Sequence, residues 1–150
     1  GRLVVGDIRA VSVIEAVKRR AAGIPALRIR DCPPGVSCPA VHALEGADFA
    51  VLVAEPTEFS LHDLDAAVRL VKSQGIPAGI VVNKDGFGTA DLESFAESRG
   101  LPILERIGFS RDRARAGAAG RLWDRDPDAR EAVDRLARRI LELASGGNAP

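Results

Sequence analysis

The sequence predicts an α/β fold, a doubly wound and mainly parallel sheet flanked by helices. Three observations predict it. Four apolar runs, at 26–31, 48–55, 78–84 and 101–108, have strand length. The middle two are almost continuously apolar, the signature of strands covered on both faces, as in parallel sheets. Helical patterns with start and stop signals alternate with these runs through short connections, which makes the crossovers right-handed.

Each element has its own signals. VSVIEAVKRRAAG (11–23) reads as a helix ahead of ALRIRD (26–31), the first strand. SCPAVHALEG holds a short helix, and DFAVLVAE (48–55) is the next strand. Ser60 and Asp63 suggest a capping box for SLHDLDAAVRLVKSQG, with Leu61, Leu64, Val68 and Val71 on one face and Gly75 as the stop. AGIVVNK (78–84) is a strand, and Thr89 is the expected cap of ADLESFAESRG. LPILERIG (101–108) is the fourth strand, and Ser110 caps RDRARAGAAG. Asp126 and Pro127 open a last helix with Val133, Leu136, Ile140 and Leu143 in one stripe. The expected organisation is one domain over 1–145 with at least four strands, and a disordered tail over 146–150.

The chain has 150 residues, 46% hydrophobic and 28% charged, enough for one globular core. Lys+Arg and Asp+Glu both number 21, so the net charge is zero. That balance argues against nucleic acid or an anionic membrane surface as the main partner. Arginine outnumbers lysine 18 to 3, a bias we read as genome composition. No apolar run approaches the ~18 residues of a membrane span. Two cysteines are too few for a disulfide scaffold, so the expected compartment is the reducing cytoplasm. Methionine is absent, and the sequence reads as a piece of a longer protein.

The segment IRDCPPGVSCPA (29–40) concentrates the chemistry. Asp31 closes an apolar run, and in open α/β sheets ligands lie beyond the carboxyl ends of strands. Pro33 and Pro34 stiffen the turn, and Gly35 lets backbone approach a phosphate. An Asp that merely caps the next turn explains the local pattern equally well. C-x5-C lacks zinc-ligand spacing, and the C-x-x-C of a redox pair is absent. Cys32 and Cys38 therefore read as free thiols packed as small hydrophobes. His62 falls in a helix first turn and His42 in the short helix. With no third ligand in view, neither reads as a metal site.

The ordered series D-x-P-P-G-x-x-C-P (31–39), G-A-D (46–48), E-P-T (55–57), L-H-D-L (61–64), G-I-P (75–77) and V-V-N-K (81–84) resembles the MinD/ParA-type P-loop ATPases. It is most similar to the subgroup with an inserted ferredoxin domain, and the resemblance runs on through GLPILERIGFSRDRARAGAAG (100–120). It implies that Asp31 is the Walker B aspartate, holding Mg through water. Pro33, Pro34 and Gly35 would belong to the switch II loop that senses the γ-phosphate. Asn83 would hydrogen-bond the adenine edge, and its local alternative is a strand-end turn residue. Ile107, Gly108 and Phe109 would lie against the base, followed by Ser110. The family usually reads I-P-[FY]-D there, so Gly108 and Ser110 depart from it. Cys38 stands where the related nitrogenase iron protein has a cluster ligand, and a structural thiol is the preferred reading.

The resemblance also defines what this sequence does not contain. The family P-loop and the ferredoxin cysteines precede the region seen here, and GRLVVGD has no GK[ST] to surround phosphate. The implied parent binds ATP and Mg and couples hydrolysis to iron–sulfur or metallocofactor chemistry. This portion alone is expected not to hydrolyse ATP, and its implied partners are the missing N-terminal half or a second copy. The alternative is a stand-alone degenerate domain acting as a binding or scaffold module. A redox sensor built on Cys32 and Cys38 ranks last, because neither thiol has Lys or His beside it in sequence.

Overall fold

The computed structural model describes residues 9–121 and 126–146. They divide into two compact units, one up to Ala47 and one from Asp48 onward.

The first unit contains α1 (Ala10–Ala21) and α2 (Cys38–Leu44), which pack on one another. Pro39 sits in the first turn of α2, where its missing N–H costs nothing. The connection between the helices is irregular, and here the structure departs from the sequence reading. Residues 26–31 form no strand. Among the described residues no ladder includes them, and Leu27 and Ile29 are 74% and 91% exposed. A strand exists only by hydrogen-bonding a neighbour, so apolar alternation alone does not make one. The segment is held by a side chain instead. The Arg30 guanidinium donates to the carbonyls of Ala43, Glu45 and Gly46, which lack helical partners at the end of α2.

The second unit carries the sheet. Its elements are β1 (Ala50–Ala54), α3 (Glu58–Ser73), β2 (Ala78–Asp85), α4 (Leu92–Arg99), β3 (Ile103–Gly108), α5 (Arg111–Ala118) and α6 (Pro127–Gly146). The described sheet has three strands in the order β1-β2-β3, all parallel, rather than the four expected. β2 is central and its residues from Ala78 to Val82 are all buried, which is why it reads as an unbroken apolar run. Ile80 and Val82 meet Ala54, Leu64 and Val68, together with Leu92 and Ala96, so α3 and α4 cover one face. Val81 points the other way. There Glu105, its partner on β3, receives Arg135 of α6 at 2.9 Å. Helices therefore cover both faces of β2 and β3, the doubly wound arrangement. β1 is different, because Val51 and Val53 on that second face are exposed and its outer edge has no ladder partner among the described residues.

Helix ends correct two details. Thr57, not Ser60, caps α3, accepting the Ser60 N–H, while the Ser60 hydroxyl accepts the Glu55 N–H. Asp91, not Thr89, caps α4 through Ser94. In both cases the helix begins where a side-chain oxygen reaches the N–H three residues on. Ser110 and Asp126 cap α5 and α6 as read. On α6 the buried positions are Ala129 and Ala132, with Leu136 and Ile140 half-buried. Val133 and Leu143 are exposed, so the stripe is rotated toward its small residues, which permit close approach to the sheet. α6 continues through Gly146, and the rest of the expected tail lies outside the described residues, as do residues 1–8.

Candidate functional site

The carboxyl ends of β1, β2 and β3 bring three connections to one edge of the sheet. Asn83 ends the buried run of β2 and pairs in register with Ile107, and Asp85 pairs with Gly108. Between them Lys84 is an irregularity in the ladder with φ 54°, a backbone conformation costing a non-glycine residue about 1–3 kcal/mol and common at functional sites. Its ammonium reaches across to Glu55 at the end of β1, 2.7 Å away. The sequence-predicted residues Asn83, Ile107, Gly108 and Phe109 are thus assembled on neighbouring strand ends.

Backbone bonds fix the loops around them. The Phe87 N–H donates to the Lys84 carbonyl at 2.9 Å, and the Phe109 N–H donates to the Asp85 carbonyl at 3.0 Å. The two rings stack with centroids 4.8 Å apart. A methyl group at Gly88 would overlap the Pro56 carbonyl oxygen, which also accepts the Ala90 N–H at 3.1 Å. Gly88 is therefore required for this loop to lie against the β1–α3 connection. Arg106 pairs with Asp85 at 3.2 Å and Glu93 at 2.6 Å, tying β3 to β2 and α4. Arg113 donates to the Gly108 carbonyl and pairs with Asp126.

The remaining predicted residues lie in the first unit. Asp31 is exposed and ends no strand, so the strand-end geometry read for it is not formed. Pro33 is half-buried, Pro34 and Gly35 are exposed, and Gly35 has φ 77°. Cys38 is exposed at the first residue of α2 and Cys32 is half-buried, so neither thiol is packed as a core hydrophobe. Burial pushes the Cys32 thiol up, against the opposing charge of Arg30.

Two features escaped the sequence reading. Phe87 and Gly88 had only the turn-like NKDGFG as a signal. In the first unit Glu15, His42 and Glu45 bring potential ligand atoms within 4.8 Å of one another. Lys18 supplies this cluster with its own cation. Its ammonium lies 3.0 Å from Glu15 and 3.5 Å from Glu45 and donates to the His42 carbonyl at 2.9 Å. The Lys18 hydrogen bond holds the Glu15 carboxyl below the usual range, helped by His42. Among the described residues, no helix is long and apolar enough to cross a membrane.

The chain is 34% identical over 87 residues to an uncharacterized protein of Methanocaldococcus jannaschii, covering 57% of this chain and 32% of that one. It is 36% identical over 102 residues to the chloroplastic septum site-determining protein minD homolog of Arabidopsis thaliana, covering 65% of this chain and 30% of that one. It thus spans about a third of the length of these curated relatives. No family model matches. Among solved structures, the MinD cell division protein of Aquifex aeolicus superposes with a TM-score of 0.68 at 20% identity, covering 93% of this chain and 63% of that one. MinD of Pyrococcus horikoshii, solved with Mg-ADP, gives 0.69 at 22% identity, covering 91% and 57%. The fold is that of a MinD-like P-loop NTPase, in part.

Proposed function

We propose that this chain is the C-terminal portion of a MinD-like ATP-binding protein, the domain spanning 1–145. Its carboxyl sheet edge forms the base side of the nucleotide site. The observation that carries the reading is the placement of Asn83 and the 107–109 loop on adjacent strand ends within a MinD-like fold. The Asn83 carboxamide offers both a donor and an acceptor, which fits the edge of adenine. The Mg-ADP bound by the P. horikoshii protein supports the same ligand class. In the intact parent, Asp31 holds Mg through water, and Pro33, Pro34 and Gly35 follow the γ-phosphate. The P-loop belongs to the preceding half, so this portion alone does not hydrolyse ATP. The D-x-P-P-G-x-x-C-P series supports the ferredoxin-insert subgroup and a parent that couples hydrolysis to iron–sulfur chemistry.

The outer edge of β1, unpaired among the described residues, supports a further strand here, from the preceding half or from a second copy. The same open edge favours the second reading, a scaffold module without hydrolysis. The test is Asp31→Asn in the intact parent. Magnesium-dependent hydrolysis falls while thermal stability is kept, and an unchanged rate refutes the assignment. A parent reading frame with neither P-loop nor cysteine clusters upstream of Arg2 selects the scaffold. On the isolated chain, calorimetry finds no Mg-ATP affinity tighter than about 1 μM, or about −8 kcal/mol.

A further inference from the structure

The chain has five phenylalanines, and two stand exposed on the connections that follow the second and third strands: Phe87 after β2 and Phe109 after β3. Phe87 and Phe109 are 57% and 39% exposed, yet stacked on one another. Core packing does not account for them. Their backbones are nevertheless held firmly. Both N–H groups bond to consecutive carbonyls of the Lys84–Asp85 irregularity, and the Phe87 loop is held again one residue later where Gly88 abuts Pro56. A rigid backbone presenting a flat, solvent-facing aromatic pair is a preorganised stacking surface. Every nucleobase has a π-face to stack on one, and the contact is tolerant of base identity. Asn83 lies at the end of the same strand, so a flat apolar surface and a two-way hydrogen-bonding group share one sheet edge.

We propose that Phe87, with Phe109, forms the stacking platform for the nucleobase, and that Phe87 is an affinity-determining residue of this site. The inference rests on the nucleotide reading above. Phe87 contributes ring area, while base selection falls to Asn83.

The test is a titration of the 150-residue chain with adenosine and, separately, with inorganic triphosphate, followed by backbone amide NMR. Adenosine moves the amides of Asn83, Phe87 and Phe109, and triphosphate does not. Phe87→Ala weakens adenosine binding at least about five-fold, the lower end for loss of a base–aromatic stack. Phe87→Trp retains binding. Phe87→Leu, which keeps apolar bulk without a ring, weakens it as Ala does and controls for lost packing. If adenosine moves residues 83 and 107–109 but Phe87→Ala or Phe87→Leu binds like the parent sequence, the platform is refuted and the nucleotide reading stands. If adenosine moves none of these amides up to its solubility limit, both fail. If the Phe87 and Phe109 amides respond only to protein concentration, the pair is a contact between copies and the inference is overturned.

Discussion

Residues 26–31 and residues 78–85 both read as strands and meet different fates. ALRIRD alternates apolar residues with Arg28 and Arg30, and AGIVVNKD opens on five residues without a polar side chain; both close on Asp. The second becomes the central strand, with ladders on both sides and Ile80 and Val82 fully buried. The first makes no ladder among the described residues, leaves Leu27 and Ile29 in solvent, and is held through the Arg28 and Arg30 side chains. The difference teaches that an apolar run encodes readiness to be a strand. A paired backbone and two covering layers decide whether it becomes one.

The largest expected effect that sharpens this contrast is Ile80→Ala. It opens a cavity in the core cluster and lowers stability by about 2–5 kcal/mol, read by urea unfolding. A loss below about 1 kcal/mol would mean that β2 is no better packed than 26–31. Gly88→Ala comes next. The added methyl overlaps the Pro56 carbonyl, so the loop must shift, at about 1–3 kcal/mol, and the Phe87 and Phe109 amide resonances move with it.

A third effect concerns pH. The hydrogen bond from Arg135 holds the Glu105 carboxyl below the usual range. A depressed folded pKa contributes stability that is fully present above the ordinary glutamate value, about 4.3, and is lost as pH falls through the folded value. The parent sequence therefore melts above Arg135→Ala at neutral pH, and the gap closes in acid. A gap independent of pH would show that Arg135 acts by packing alone.

Two smaller effects probe the first unit. Cys38, exposed, is alkylated before Cys32, whose thiol burial disfavours as thiolate. Mass spectrometry of a time course checks the order. Ile29→Ala changes stability by less than about 0.5 kcal/mol in the isolated chain, because its side chain is already in water. A loss comparable to that of Ile80→Ala would mean that 26–31 pairs as a strand in solution.

Sequence by itself determined the fold class, since an unbroken apolar run such as 78–82 between capped amphipathic segments can satisfy its side chains only inside a covered parallel sheet. It also marked the starts of α5 and α6, where Ser110 and the Asp126–Pro127 pair stand immediately ahead of a helical pattern, and singled out Asn83 and 107–109. It misplaced the starts of α3 and α4, because Thr57 and Ser60, or Thr89 and Asp91, compete as caps and only the three-dimensional path of the chain chooses. It missed Phe87 and Gly88, whose significance arises from Phe109 and Pro56, residues distant in sequence. Tertiary structure alone decided that 26–31 is not a strand, that α6 turns Ala129 and Ala132 inward, and that Lys18 fills the Glu15–His42–Glu45 cluster. In each case the reason is physical: local pattern fixes what a segment can do, and partners far along the chain decide which of those states has its hydrogen bonds made and its apolar surface covered.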